Sequence, residues 1–266
     1  MKTKLLVVFL AFLSACAVVN SLNLYTIEDD KELGRQMYAQ IAEETEEYPL
    51  LDSVRYATAY GHINRIMNTI LNCGVVAYRN DFDWSVKLIN ADVLNAFAVP
   101  GGKLYVYTGL IKYLDNEAQL AGVMAHEVAH AAARHSTTQM TKQYGVSYIT
   151  SLLLGENPGQ YLQLAGQIAN GLGGLAFSRS DESQADALAV HYLSNTDYNP
   201  LGVAGFFEKL AAEQGREQSQ LETFMSTHPS STDRVQRIRE AWVANGSKPG
   251  NDFVERYQQF KNSLPK

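Results

Sequence analysis

The sequence predicts an α+β fold, mainly helical, with one small β-sheet. Three observations lead there. Apolar residues recur at helical spacing from near Glu28 to the Pro49 break, from about Asp52 to Leu71, through Asn116–Ser136 and over about 179–194. Two extended runs, "FDWSVKLIN" and "NAFAVPGGKLYVYTGLI", sit between the second and third of these stretches. The order is helices, sheet, helices, and not the strict alternation of a parallel-sheet protein.

Each element has a local reason. Leu33, Met37 and Ile41 share a face of the first helix. Val54, Ala57, Ile63, Ile66, Met67 and Ile70 supply the apolar positions of the second, and "NCGVVAYRND" follows as a loop or irregular strand. Phe82, Trp84, Val86 and Leu88 alternate, which is the period of a strand with one buried face. Pro100, Gly101 and Gly102 turn the chain between two extended runs, so a hairpin is expected, and the aromatic and β-branched Leu104–Thr108 run favours strand. Asp115 is the expected N-cap of the third helix. From Gln143 to Ser178 the only charged residue is Glu156, and glycines recur at 166, 171, 173 and 174. Two short apolar helices fit there, either as a buried pair or as a lid or a membrane- or partner-facing surface. Further helices are expected over about 200–217 and 230–245.

The formal charge of −6 excludes a nucleic-acid partner, because no basic surface is available to neutralise phosphates. The N-terminus "MKTKLLVVFLAFLSACAVVN" has two lysines, a short apolar run and "LSAC". The run is too short to span a bilayer and fits an export signal. Its ending resembles a bacterial lipoprotein signal, which implies cleavage before Cys16 and lipid on that residue. The expected organisation is a signal peptide over 1–15, a tether over 16–27 and one domain over 28–266. Ala17, not Asp, after the cysteine favours an outer-membrane anchor facing the periplasm. Loss of Lys2 and Lys4 with the leader takes the charge to −8. Cys73 is then the only thiol outside the anchor, so no disulfide within the chain can form.

The most specific motif is "HEVAH" at 126–130. Residues four apart on a helix lie about 40° apart in rotation, so His126 and His130 can reach one small cation. Glu127 sits about 100° away, within reach of a water on that cation, as a general base requires. At this chain's histidine and glutamate content the pattern arises by chance in about one chain in a hundred. The flanking Val123–Ala125 and Val128–Ala133 residues are apolar nearly all round, so the helix is expected to be buried and its polar side chains to need partners.

A hydrolytic zinc site needs a third protein ligand. His135 follows His130 by five residues, with Ala133 where a metzincin has glycine. A helix continued through Ala131–Arg134 turns it about 180° from His126, so it is expected at the surface or in a second layer. The stretch "AFSRSDESQAD" offers a better answer. Glu182 and Asp186 share a helix face, so Glu182 is assigned as ligand and Asp186 as the acceptor that orients a ligand histidine. Asp181 falls at the helix start and is read as capping charge.

"HEVAH", "SRSDESQAD" and "THPSSTDRV", with the "NAFAVPGGKLYVYTGLI" segment upstream, resemble peptidase family M48 over about residues 28–240. That family includes HtpX-like, Oma-like and CAAX-prenyl-protease zinc metallopeptidases. The resemblance implies a gluzincin-type domain, one Zn2+ on His126, His130 and Glu182, and Glu127 as base. It also implies a β-sheet edge strand over Asn95, Ala96, Phe97 and Ala98 that binds extended polypeptide, ended by Pro100. His228 then either donates to the oxyanion or occupies the open metal position at rest. Arg234, six residues on, pairs with a buried acid or orients this loop. His62 and His191 have no motif around them and are read as structural. The implied activity is a zinc metalloendopeptidase of the cell envelope acting on misfolded polypeptides. The alternatives are a non-catalytic zinc-stabilised assembly factor and a cell-wall peptide amidase.

Overall fold

The computed structural model of the protein describes residues 22–145, 177–212, 228 and 233–266. Residues 1–21, which include the expected export leader and Cys16, most of the uncharged 143–178 stretch and most of "THPSSTDRV" lie outside the described residues.

Helix α1 (Ile27–Glu43) begins at Thr26, whose hydroxyl accepts the Asp29 N–H while Asp29 accepts back from the Thr26 backbone. It buries Leu33, Met37 and Ile41. Residues 22–26, assigned above to a tether, are packed in part, because Tyr25 is buried in the same cluster. Helix α2 (Ala57–Leu71) starts later than the expected Asp52. The Asp52 carboxylate accepts the N–H groups of Val54 and Arg55 and holds the chain in a turn there, leaving Val54 84 % exposed.

Three strands follow: β1 (Ser85–Ile89), β2 (Ala96–Val99) and β3 (Lys103–Tyr107). Their spatial order is β1-β3-β2. β2 and β3 form the expected hairpin, with Gly101 and Gly102 both at positive φ. β1 pairs with β3 in parallel. β1 is shorter than the alternating run, because Phe82 and Trp84 meet in a tilted ring contact and pack over Gly102 before the strand begins.

Helix α3 (Thr108–Tyr113) leads to α4 (Glu117–Ala132), the carrier of "HEVAH". Its N-cap is Asn116, which accepts the Gln119 N–H, and not Asp115. Asp115 is drawn away by Lys209, 2.5 Å off on a later helix. Every α4 residue but Gln119 is buried. At its start the buried Glu117 carboxylate takes Arg65 at 2.6 Å, the Tyr198 hydroxyl at 2.6 Å and Arg256 at 2.5 Å. This ties α4 to α2 and to the C-terminal helix. Burial opposes the charge on Glu117, yet these three partners hold its pKa below the usual carboxylate value.

The rest is helical: α5 (His135–Tyr144), α6 (Arg179–Leu193), α7 (Gly202–Ala212), α8 (Arg234–Ala244) and α9 (Val254–Asn262). α9 has no counterpart in the sequence reading. It buries Tyr257 and Phe260 and presents Arg256 to Glu117. α4 packs mainly on α6 and α7. The approach to α7 is close because a Cβ on Gly122 would lie 2.6 Å from the Val203 nitrogen. α4 also covers β2, so one face of the sheet joins the main helical core while the other, with Phe97, Val99 and Tyr105, packs on α1. No described helix is long and apolar enough to cross a membrane.

Candidate metal centre

α4 and α6 lie side by side, which brings the two acid- and histidine-bearing stretches together. His126, His130, Glu182 and His228 each offer one donor atom, and these atoms all lie within 4.8 Å of one another. All four side chains are buried. The Nε2 atoms of His126 and His130 are 2.9 Å apart, an approach that the i, i+4 spacing permits. Glu182 Oε1 lies 3.3 Å from His130 Nε2, and Glu182 Oε2 lies 3.5 Å from His126 Nε2. A tetrahedral zinc with bonds of about 2.0–2.1 Å places adjacent donors about 3.3 Å apart, so this spacing fits one ion.

The protons point the same way. His126 Nδ1 faces Asp186 Oδ1 at 2.9 Å, so that nitrogen carries the hydrogen and Nε2 faces the cluster. Burial disfavours charge on His126, but Asp186 and Glu182 outweigh it and raise its pKa to about 9. Burial and the neighbouring His126 charge push His130 well below its ordinary value. Glu182 is lowered even though burial alone would raise it, because three histidines hydrogen-bond to it. The acids thus favour positive charge at the His126 Nε2 position, which a metal cation there would supply. Glu127 Oε1 is also buried and, among the described residues, accepts no hydrogen bond, while Glu182 Oε2 is met only by the charged groups of Arg234 and His126. Carboxylate oxygens placed this way beside facing imidazole nitrogens fit a divalent cation.

Glu127 is turned from the donor atoms as its position on the helix requires. Its Oε1 lies 3.5 Å from His228 Nε2. Burial raises its pKa above the ordinary carboxylate value, against the pull of His228, His126 and the Ala98 backbone N–H, which bonds to it. That N–H comes from β2. Tyr107 N donates to Asn95 O and Gly102 N to Val99 O. Residues 95, 97 and 99 therefore pair towards β3, while Ala96 and Ala98 direct their backbone groups to the other edge. Among the described residues no strand pairs there. The Ala96 N–H is taken by Asn95 Oδ1 at 2.9 Å. Of the four edge residues named from the sequence, Phe97 stacks on Tyr105 in the core, 4.8 Å between ring centres, and Ala96 and Ala98 face the edge.

Asp186 and Glu182 share a further partner. Arg234, at the start of α8 and 2 % exposed, donates to both Asp186 oxygens at 2.8 Å. Its Nη1 also lies 3.0 Å from Glu182 Oε2. The sequence leaves Arg234 either a buried acid or an orienting role in its loop, and the acids it meets are Asp186 and Glu182. Asp181 closes a capping box with Ser178, its Oδ2 2.7 Å from the Ser178 hydroxyl, away from the donor cluster. Phe177 was not anticipated: its ring stacks on His130 at 4.0 Å and forms an apolar wall. The only sequence signal for it is an aromatic just ahead of an N-cap. His62 stacks on Phe260 and His191 meets Asn245 Oδ1 at 2.7 Å, both away from the cluster.

His135 corrects the helical extrapolation. α4 ends at Ala132, and Arg134 adopts the left-handed conformation at φ 57°. The reversal lays His135 beside His130, buried, with their Nδ1 atoms 2.9 Å apart.

A family model described as Peptidase family M48 matches residues 60–242. The mitochondrial metalloendopeptidase OMA1 of Schizosaccharomyces pombe is 31 % identical over 225 residues, 83 % of this chain and 63 % of that protein. The beta-barrel assembly-enhancing protease of Escherichia coli is 34 % identical over 171 residues, 61 % of this chain and 34 % of that protein. The metalloprotease LoiP of Escherichia coli is 33 % identical over 167 residues, 61 % of this chain and 64 % of that protein. The matches thus span from about a third to just under two thirds of these relatives' lengths. The family match covers α2 through α8 and includes every donor in the cluster, and the chain belongs to peptidase family M48.

Proposed function

We propose that the protein is a zinc-dependent metalloendopeptidase that hydrolyses peptide bonds in extended or misfolded polypeptides of the cell envelope. The observation that carries this reading is Glu127. It is buried beside the His126, His130 and Glu182 donors, takes no place among them and bonds to the edge of β2. A metal site with a purely structural role has no use for such a carboxylate.

His126, His130 and Glu182 would hold one zinc ion, which when bound supplies Lewis acidity and lowers the pKa of a water towards about 7. Glu127 takes the proton as the water attacks the scissile carbonyl and then returns it to the leaving amine. Its raised pKa suits a group that must both accept and give a proton. The Ala98 N–H fixes its orientation. An extended peptide lies along the outer edge of β2 and donates to the main-chain carbonyls of Ala96 and Ala98, whose N–H groups are held by Asn95 and Glu127; such main-chain bonding accepts any sequence in extended form. Asn95 secures the Ala96 N–H at the start of that edge. Asp186 holds His126 in the tautomer that leaves Nε2 free.

His228 Nδ1 lies 3.0 Å from Glu182 Oε1 and 3.3 Å from His126 Nε2. This placement supports the resting role: His228 would help to hold the ion in the resting protein and would give way to substrate. Catalytic zinc sites keep one position open, whereas structural sites are closed. Replacing His228 by Ala is therefore expected to raise cleavage of casein several-fold at unchanged zinc content. A fall of tenfold or more would assign His228 to the oxyanion instead.

The four-donor arrangement also favours one rival, a non-catalytic zinc-stabilised assembly factor. Cleavage of casein measured with chelator, and again after zinc is restored, separates the two. The peptidase reading expects loss and recovery of activity. Zinc-loaded protein that never cleaves would establish the rival. A cell-wall peptide amidase fits less well, because an edge strand recognises polypeptide backbone.

The leader supports export and a lipid anchor on Cys16, with the domain over 28–266 on the periplasmic face and Ala17 favouring the outer membrane. One relative bears the name beta-barrel assembly-enhancing protease, which supports a role in envelope protein quality control.

A further inference from the structure

We propose that His135 is a positioning residue for the metal: together with Gln184 it fixes His130 in the one tautomer that can bind a cation. The inference rests on the reading of His130 as a metal ligand.

A cation on His130 Nε2 is compatible with one proton arrangement. His130 Nδ1 and His135 Nδ1 face each other at 2.9 Å, so a single hydrogen lies between two ring nitrogens. For His130 to offer the Nε2 lone pair to a metal, that hydrogen must sit on His130 Nδ1. His135 must then accept through Nδ1 and carry its own hydrogen on Nε2. That nitrogen lies 3.3 Å from Gln184 Oε1, an acceptor. The chain runs from His130 Nδ1–H to His135 Nδ1, and from His135 Nε2–H to Gln184 Oε1. The opposite tautomer of His135 would aim an N–H at His130 Nδ1 and place the His130 hydrogen on Nε2, inside the metal site.

The two ligand histidines are therefore held by different means. His126 has a carboxylate behind it, Asp186, and His130 has a neutral imidazole. The left-handed Arg134 makes this possible by reversing the chain one residue before His135. Arg134 is fixed in that state by Asp30, at 2.5 and 3.1 Å, and by the carbonyls of Tyr25 and Thr26. Gln184 comes from the same helix as Glu182 and Asp186, so α6 supports both ligand histidines.

The test compares two substitutions. His135→Phe keeps the ring volume and removes the acceptor. His135→Asn places an amide oxygen near the Nδ1 position and keeps it. Zinc affinity is measured by competition with a chromophoric chelator, with circular dichroism to verify the fold. His135→Phe is expected to weaken zinc binding about 10- to 100-fold, and His135→Asn to stay within a few-fold of wild type. Equal affinity for wild type and His135→Phe would overturn the inference, and so would equal losses in both folded variants. A second measurement needs no variant. In the zinc-loaded wild type, imidazole nitrogen NMR should show His135 protonated on Nε2 and His130 on Nδ1. A His135 protonated on Nδ1 overturns the proposal. Wild-type protein that binds no zinc would sink the metal-site reading and this inference together, whereas zinc binding indifferent to His135 sinks this inference alone.

Discussion

Glu127→Gln is expected to keep zinc at the wild-type level and to lose 10²- to 10⁴-fold in peptide hydrolysis, the range that a positioned general base contributes. Glutamine has the shape of glutamate and still offers an oxygen to the Ala98 N–H, so the local fold should hold. It cannot take a proton from water. Glu127 also lies outside the donor set of His126, His130, Glu182 and His228, so zinc should stay. The measurement is zinc per chain by elemental analysis together with casein cleavage on the same preparation. Wild-type cleavage by this variant would remove Glu127 from the mechanism. Loss of zinc would show that Glu127 belongs to the metal site after all.

The donors in α4 and α6 could be placed from the sequence because they depend on local geometry. His126 and His130, and Glu182 and Asp186, are each four apart on helices whose apolar pattern is plain. The β2–β3 hairpin was legible for a similar reason: Pro100, Gly101 and Gly102 write the turn into the chain. What escaped the sequence depends on distant partners. Ala131 to Ala133 would extend a helix by propensity alone. A non-glycine residue in the left-handed state costs roughly 1–2 kcal/mol, and Arg134 accepts it because Asp30, over a hundred positions earlier, binds its guanidinium. His135 therefore sits in the second layer, but against His130 and not on the far side of the helix. Asp115 and Asn116 are both good N-caps, and Lys209 decides between them. α9 is short and weakly patterned, and it is held in place by Arg256 on the buried Glu117. The parallel pairing of β1 with β3 likewise joins segments with no shared turn.

The acids of α6 give a graded prediction, because one helix supplies three carboxylates in three settings. Glu182→Ala should strip zinc, since it removes an oxygen 3.3 Å from His130 Nε2 and leaves only imidazoles in the cluster. Arg234 would keep Asp186, to which it is bound at 2.8 Å through two nitrogens, so the variant should still fold. Asp186→Ala should weaken zinc about 10- to 100-fold, because His126 loses the acceptor that sets its tautomer. It carries a second cost. Arg234 is buried and would lose its main partner, and breaking such a pair costs about 3–5 kcal/mol. Asp186→Asn is the cleaner comparison, since it keeps an acceptor for His126 while giving up the charge that faces Arg234. Asp181→Ala should leave zinc unchanged and cost about 0.3–1 kcal/mol of helix stability, as its carboxylate at the third helical position closes the capping box with Ser178 and faces the helix N-terminus. Zinc stoichiometry and thermal unfolding of the four variants read both quantities. If zinc survives the loss of Glu182 and not the loss of Asp181, the helix presents a different face to the metal, and the assignment of ligand and support along α6 is wrong.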